Sequence, residues 1–139
     1  MTTITREHEI CCGHRVVGHE SGCRRLHGHN YTFQFTVAGT ALDTIGRVID
    51  FSVIKSLLCQ WLEDHWDHKT LLWVEDPWLP QIPPVIRDSV VTVPFNPTAE
   101  NIAGYFLEVI GPQQLAGTGV ELVAVQVHET RKCSARVSR

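Results

Sequence analysis

The sequence lacks long apolar runs. None in its 139 residues approaches the ~18 consecutive apolar residues that cross a bilayer. Residues 1–9 alternate polar and charged side chains and lack the apolar stretch of a signal peptide. We therefore expect a cytoplasmic protein with no membrane partner.

A basic surface and a disulfide framework are also missing. The chain has 12 Lys and Arg against 15 Asp and Glu, a net charge of −3, and no basic stripe, so we expect no nucleic-acid partner. An odd number of cysteines in a cytoplasmic chain indicates reduced thiols, one of which could carry chemistry. The five are Cys11, Cys12, Cys23, Cys59 and Cys133.

What is present is typical of a folded domain. Hydrophobic residues make up 43% and charged residues 19%, and there is no repeat, so we expect one domain over residues 1–139. Period-2 alternation predicts strands at 3–16 and 29–38. Helical spacing from 54 to 62 predicts a helix that begins with Ser52 as its N-cap and ends near His65.

The second half begins with a proline-rich loop at 76–97, which has a possible short strand at Val90–Val93. Thr98 is the expected cap of a second helix that ends at Gly111-Pro112. Strands follow at 120–129 and 133–138. The order β-β-α-α-β-β predicts an α+β fold, a four-stranded antiparallel sheet with two helices on one face.

Three histidines predict a metal site. His27 and His29 lie two residues apart on a strand, so both side chains point to the same face. His14 lies in phase with the apolar face of the first strand and is the best third ligand. Three imidazoles with a fourth position open are typical of catalytic zinc.

Simpler interpretations stay open at this point. A His-x-His pair alone is more often two ordinary strand histidines. Cys12 could bind the metal but is more often a small buried residue. His8 and His19 are weaker substitutes for His14.

Cys23 lies four residues before His27 and beside two arginines. A thiol near a metal and positive charge is readily held as thiolate, so it could act as base or nucleophile. A fourth metal ligand and an inert thiol are the alternatives, and the spacing does not separate them.

Two segments with acidic residues, Asp67-His68 and Glu129, are further candidates for the site. Asp67-His68 could be an acid–base pair, since a carboxylate in a loop can orient an imidazole, although such dipeptides are usually solvated. Glu129 continues an apolar row of its strand. It could pair with Arg131 or Lys132, or accept two hydrogen bonds from the amidine-like edge of a ligand. His128 should lie on the opposite face.

Together these segments match one family. The segments, in order, are Gly13-His14, Cys23-x3-His27-Gly-His29-Asn30, Gly46-Arg-Val-Ile-Asp50-Phe51, Asp67-His68, Pro97-Thr98-Ala-Glu100-Asn101 and Glu129-Thr130. They make the chain, from about residue 4 to its end, resemble the 6-pyruvoyl-tetrahydropterin synthase superfamily.

The resemblance implies a tunnelling fold whose sheets join into a trimeric barrel, with two trimers stacked as a homohexamer. It also implies roles for the candidate residues. His14, His27 and His29 would bind Zn²⁺, and Cys23 would be the catalytic base. Asp67 and His68 would reach the site from a neighbouring subunit. Glu129 would anchor the pterin, and Thr98 and Glu100 would line its pocket.

The three-residue gap between Cys23 and the His-Gly-His segment resembles the bacterial 6-carboxy-tetrahydropterin synthase branch of the queuosine pathway. That branch implies a lyase acting on 7,8-dihydroneopterin triphosphate. The alternatives are a synthase that makes 6-pyruvoyl-tetrahydropterin and a non-catalytic zinc- and pterin-binding relative. Three departures from the family pattern could reshape the pocket mouth: Trp66, Leu71-Leu72 and the long loop 76–97.

Overall fold

Two long antiparallel strands form the centre of the sheet. β1 (Thr3–His14) pairs with β2 (His27–Gly39) from Thr3 opposite Ala38 to His14 opposite His27. β5 (Val120–His128) pairs with the other edge of β2, and β6 (Ser134–Ser138) pairs with β5. This computed structural model describes residues 1–139.

Two short strands extend the sheet beyond β1. β3 (Thr70–Trp73) runs parallel to β1, and β4 (Val90–Val93) runs parallel to β3. The strand order is β4-β3-β1-β2-β5-β6. The four predicted strands, β1, β2, β5 and β6, are antiparallel neighbours as expected. The predicted strand number is wrong, because β3 has only four residues and shows no period. The α+β class is confirmed, and so is the short strand at Val90–Val93.

The first helix, α1 (51–65), is made of contiguous segments at Phe51–Ile54, Lys55–Cys59 and Gln60–His65, the middle one π-helical. Its N-cap is Asp50, whose carboxylate accepts a hydrogen bond from the Ser52 N–H at 2.8 Å. The prediction of Ser52 as the cap was wrong by two residues. A carboxylate is an equally good acceptor for the free N–H groups of a first turn.

The second helix, α2 (99–115), begins as predicted after Thr98, whose hydroxyl accepts from the Asn101 N–H at 3.1 Å. It does not end at Gly111-Pro112 but continues to Leu115. A proline clashes with the carbonyl four residues before it. The turn before Pro112, Phe106–Ile110, is π-helical, and this wider turn accommodates the ring.

The core lies between the two helices and one face of the sheet. Every second residue of β2 from Tyr31 to Val37 is at most 1% exposed and faces α1 and α2. The other face, towards which Glu7, Gln34 and their neighbours point, is polar and carries no helix. None of the helices is both long and apolar enough to cross a membrane.

Candidate active site

The strand register brings three histidines together at one end of the sheet. His14 lies opposite His27, and His29 lies opposite Cys12 on the same face. The ring centroids of His14, His27 and His29 are 4.5 to 5.2 Å apart. One nitrogen from each ring can be chosen so that all three lie within 4.8 Å of one another.

Backbone carbonyls orient two of these rings. The Nδ1 atom of His14 lies 2.6 Å from the Pro97 carbonyl, and that of His27 lies 2.7 Å from the Arg25 carbonyl. Each Nδ1 must therefore donate its proton, which leaves a lone pair on each Nε2. Such carbonyl partners are usual for histidines that bind metals.

The resulting arrangement fits a cation. The two Nε2 atoms of His14 and His27 are only 3.0 Å apart, and two lone pairs at that distance repel unless a positive ion lies between them. The Nε2 of His29 is buried and has no hydrogen-bond partner. The three side chains can therefore hold a metal ion, and their nitrogen donors suit zinc.

Burial favours the neutral, metal-binding form of His14 and His29. It lowers the pKa of His14 to about 4, against the opposing effect of the Pro97 carbonyl, and His27 and His29 add to the lowering. Burial also lowers the pKa of His29, although the nearby Glu129 carboxylate opposes the change. Few protons therefore compete with a metal near neutral pH.

The other candidate ligands are not part of the group formed by the three histidines. Cys12 is 4% exposed, and burial, with smaller effects of Asp67 and Cys11, raises its pKa to about 12, so its thiol stays protonated. The His8 Nε2 contacts Glu63 at 2.6 Å. The His19 Nδ1 accepts a hydrogen bond from the backbone of Ser21.

Gly13 allows the strand beside His14 to approach closely. A Cβ atom at this position would lie 2.9 Å from the Thr70 Oγ1 and 3.3 Å from the His27 carbonyl. The Gly13 N–H donates to the Lys69 carbonyl at 2.8 Å. The glycine before the metal-site histidine is therefore required by the pairing of β3 with β1.

Cys23 lies in a single 3₁₀ turn, Gly22–Arg24, between β1 and β2. Its side chain is partly exposed, while the residues around it in the turn are exposed. The Cys23 carbonyl accepts from the Val16 N–H at 2.8 Å, which ties the turn to the end of β1. The same turn leads into β2, so the thiol belongs to one short segment with His27 and His29.

Asp67 and His68 hydrogen-bond to each other within the chain. The His68 Nδ1 lies 2.7 Å from the Asp67 Oδ2, and His68 has a positive φ of 59°. Both are fastened to Cys11, whose N–H donates to Asp67 at 3.0 Å and whose carbonyl accepts from the His68 N–H at 2.7 Å. The imidazole of His68 is 77% exposed, so the oriented pair is displayed at the surface.

Cys23 and His68 do not contact each other within the chain. The cleft of about 440 Å³ that His68 lines includes Cys11, His29 and Thr70 but not Cys23. This cleft therefore does not bring the two groups together.

Glu129 follows β5 and lies beside the histidines. Its Oε1 is 3.8 Å from the His14 Nε2, and its side chain is 22% exposed. Glu129 makes no ion pair with Arg131 or Lys132, so its carboxylate oxygens are available to a ligand. With the Cys12 and Cys23 thiols it adds to the effect of burial, which raises the pKa of the Tyr31 hydroxyl.

The remaining predicted positions differ in their surroundings. Thr98 follows Pro97, the residue whose carbonyl orients His14, although its own hydroxyl caps α2. Glu100 is exposed in the first turn of that helix. Trp66 is 2% exposed and packs in the core against Phe106 and Tyr105, so it does not obstruct the histidine site.

Sequence reasoning missed two groups beside the site. The Pro97 carbonyl orients His14, and the buried Arg15 bonds the carbonyl of Arg24. The Pro97-Thr98 motif indicated that this segment matters, but it did not predict the hydrogen bond between the Pro97 carbonyl and His14. No local pattern marked Arg15, because its main partner, Asp76, is 61 positions away.

Comparisons with known proteins identify the family of the chain. The family model described as 6-pyruvoyl tetrahydropterin synthase matches residues 3–139. A Rickettsia felis protein named 6-carboxy-5,6,7,8-tetrahydropterin synthase is 33% identical over 138 residues, 99% of this chain and 100% of its own length. A Synechocystis protein of the same name is 38% identical over 140 residues, 98% of this chain and 92% of its own length.

Solved structures show the same architecture. An uncharacterized protein from Wolinella succinogenes superposes with a TM-score of 0.87 at 26% identity, covering 99% of this chain and 98% of its own. The 6-pyruvoyl tetrahydropterin synthase of Plasmodium falciparum superposes with a TM-score of 0.76 at 19% identity, covering 99% and 97%. This second likeness concerns the fold. The family model and the full-length relatives establish that the chain belongs to the 6-pyruvoyl tetrahydropterin synthase family of enzymes.

Proposed function

We propose that this chain converts 7,8-dihydroneopterin triphosphate and water into 6-carboxy-5,6,7,8-tetrahydropterin, acetaldehyde and triphosphate. The names of its full-length relatives support the product. The observation that carries the proposal is the cluster of His14, His27 and His29 with the Glu129 carboxylate 3.8 Å from the His14 Nε2. The product would serve as a precursor in queuosine or other 7-deazapurine synthesis.

The three histidines are proposed to hold Zn²⁺. When bound, zinc would supply Lewis-acid polarisation of the oxygens on the substrate's side chain. The protein's part is to keep the imidazoles neutral and correctly turned. The carbonyls of Pro97 and Arg25 turn the rings of His14 and His27 through their Nδ1 atoms, and burial favours the neutral form of His14.

Glu129 is proposed to bind the pterin ring. Its carboxylate has no Lys or Arg partner, so it can accept two parallel hydrogen bonds from the ring N3–H and the 2-amino group. Of the two interpretations that the sequence left open, the proposal therefore adopts binding of the pterin ring rather than an ion pair with Arg131 or Lys132. Thr98 and Glu100, at the start of α2, are proposed to line the same pocket.

Cys23 is proposed as the base that removes a proton from the substrate's side chain. His68 is proposed to carry the second proton, because the Asp67 carboxylate at 2.7 Å fixes its Nδ1–H and leaves the Nε2 free to exchange protons. The electrons that reduce the dihydropterin ring come from the side chain itself, so the balance needs no redox cofactor.

The assembly is proposed to be a homohexamer built from two trimers, with each active site between subunits. Two observations support a site shared between copies. Within one chain, the Cys23 turn and the Asp67–His68 pair do not meet, and the His68 ring is 77% exposed. Light scattering of the purified protein measures the oligomeric state directly.

The decisive test is mass spectrometry of the products formed by zinc-loaded protein from 7,8-dihydroneopterin triphosphate. The Cys23→Ala variant is the control for the base. We expect 6-carboxy-tetrahydropterin and acetaldehyde from the natural protein and neither from the variant. Cys133→Ala, at an exposed cysteine of the β5–β6 connection, should leave turnover unchanged.

Two other outcomes would each replace the proposal. A 6-pyruvoyl product with no acetaldehyde would place the chain with synthases that eliminate triphosphate without breaking a carbon–carbon bond. Bound zinc and bound pterin with no release of triphosphate would indicate a non-catalytic relative. The burial of Trp66 in the core argues against the second outcome, since that ring does not fill the site.

A further inference from the structure

Arg15 is a buried charge beside the metal-site histidines. It follows His14 at the end of β1 and is 5% exposed, and its partner Asp76 is 3% exposed. The guanidinium donates to both oxygens of Asp76, through Nε at 2.6 Å and through Nη2 at 2.8 Å. A fork of this kind fixes the plane of the guanidinium as well as its charge.

The proline-rich segment covers this pair. Trp78 lies over the guanidinium, with the Arg15 Cζ 3.6 Å from the ring centroid. The backbone N–H of Trp78 also donates to the Asp76 Oδ1 at 2.8 Å. Arg15 is therefore held in two directions, by the carboxylate within its plane and by the indole above it.

The remaining contact of Arg15 is with the turn that carries Cys23. Its Nη1 donates to the carbonyl of Arg24 at 2.8 Å. The carbonyls of the two neighbouring residues also accept hydrogen bonds. The Cys23 carbonyl accepts from the Val16 N–H, and the Arg25 carbonyl accepts from the His27 Nδ1. Of these three bonds, only the one from Arg15 links the turn to the proline-rich segment.

The turn has little else to hold it. No residue of Gly22–Arg24 is buried, and a Cβ atom added at Gly22 would meet nothing within 4 Å. Packing therefore contributes little to its position. The hydrogen bonds to the carbonyls of Cys23 and Arg24 decide where the thiol lies.

We propose that Arg15, clamped by Asp76 and Trp78, is a positioning residue that holds the Cys23 turn in place. The first part of the long loop 76–97 thus has a function, as a brace behind the candidate base. The inference rests on the proposed function only for the role of the Cys23 thiol. The positioning of the turn by Arg15 rests on the observed contacts of Arg15 with Asp76, Trp78 and the Arg24 carbonyl.

The first test is Arg15→Lys, which keeps the positive charge but loses the fork and the third hydrogen bond. The matched control is Arg47→Lys, because Arg47 also bonds two carboxylates, Asp43 at 2.8 Å and Asp50 at 3.0 Å, but at the surface. Trp78→Leu is the second variant. It removes the stacked ring and leaves the ion pair, in case Arg15→Lys does not fold.

Two quantities are measured on each folded variant. One is the rate at which iodoacetamide alkylates Cys23, followed on its own peptide by mass spectrometry. The other is the separate effect on kcat and KM for 7,8-dihydroneopterin triphosphate. We expect the alkylation rate to change by about threefold or more and kcat to fall by roughly 10- to 100-fold with KM little changed, since small displacements of a reacting group have effects of this size.

The proposal is overturned if a folded Arg15→Lys, or a folded Trp78→Leu where the first does not fold, alkylates and turns over like Arg47→Lys. It is also overturned if KM rises while the alkylation rate stays constant, since the arginine would then act on the substrate. The alkylation rate needs no turnover. If the natural protein forms no 6-carboxy product, the proposed reaction fails while this rate still tests the brace.

Discussion

His29 differs from its two partners in the metal cluster, because its buried Nε2 has no protein group to satisfy it. We expect His29→Ala to weaken zinc binding at least tenfold, since a missing ligand should cost no less than a missing partner of a ligand. Competition with a chromophoric chelator measures the affinity. His128→Ala, on the opposite face of the sheet, should leave it unchanged. Equal zinc affinities in the two variants would show that His29 does not bind the metal.

Glu129 is the residue for which charge and shape can be separated. Glu129→Gln keeps the size of the side chain but replaces one acceptor oxygen by a donor, so it loses one of two charge-assisted hydrogen bonds. Each is worth about 1.5–3 kcal/mol, so we expect KM for the pterin triphosphate to rise roughly 10- to 100-fold. The zinc content should stay the same.

The control for this substitution is Glu108→Gln, at a 61% exposed carboxylate that approaches only Arg139. Its KM should equal that of the natural protein. A KM for Glu129→Gln equal to that of the control would show that the carboxylate does not bind the ring.

Single residues differ in how far the sequence could predict them. The position of His14 followed from its phase on β1, because a period of two decides which face a side chain occupies. The hydrogen bond between Asp67 and His68 was one of two interpretations, because a carboxylate in a loop can orient an imidazole but such dipeptides are usually solvated. The contact of Arg15 with Asp76 could not be predicted, because only the tertiary fold brings together residues 61 positions apart.

At the scale of elements, α2 contains two glycines with opposite surroundings. A Cβ atom at Gly111 would lie 2.5 Å from the Leu122 Cδ2 and 2.9 Å from the Phe106 carbonyl, whereas one at Gly104 would meet nothing within 4 Å. We expect Gly111→Ala to lower the free energy of unfolding by about 1–3 kcal/mol through overpacking.

The matched variant Gly104→Ala should raise the free energy of unfolding by about 0.5–1 kcal/mol, the usual gain from replacing a helical glycine. Urea denaturation of both variants measures the difference. A stabilised Gly111→Ala would mean that α2 can move away from β5 at no cost.

The elements that the sequence predicted well are those with a long period. Both helices and the three long strands, β1, β2 and β5, repeat their pattern over several turns or pleats, so their existence was clear and only their ends were not. β3 has four residues and no visible period. The continuation of α2 past Pro112 depends on the π-helical turn at Phe106–Ile110. Residue preferences along the sequence do not predict such a turn.

Asp76 makes the stability of the loop 76–97 depend on pH. Burial tends to raise the pKa of this carboxyl, but hydrogen bonds from Arg15 and from the Trp78 N–H outweigh it and hold the pKa below its ordinary value. A lowered pKa stabilises the fold above the unfolded value of about 3.9. This stabilisation is lost as the pH falls through the lower, folded value.

We therefore expect the free energy of unfolding of Asp76→Asn to depend less steeply on pH between about 5 and 2 than that of the natural protein. The variant should also lose about 3–5 kcal/mol at pH 7, because Arg15 is left buried without its partner. The double variant Arg15→Met with Asp76→Asn should recover part of that loss. Identical slopes would show that the pair contributes nothing to acid sensitivity.

At the scale of the molecule, His68 lines the same cleft as His29, whereas Cys23 does not line it. His14, His27 and His29 face the core side of the sheet, whereas Asp67 and His68 bond the backbone of Cys11 at the edge of β1. An oriented and 77% exposed imidazole is suited to act on a group that another chain presents. This arrangement fits the proposal that each active site lies between subunits.

Mixing two inactive variants tests the shared site. Cys23→Ala and His68→Ala should each be inactive alone. Co-expressed in equal amounts with different tags and purified through both, they should recover about a quarter of the natural activity, because random assembly gives each site two intact chains with that probability. The control pair, Cys23→Ala with Cys23→Ser, should recover none. No recovery from the first pair, despite mixed oligomers, would show that each chain uses its own Cys23 and His68, contrary to their separation in the fold.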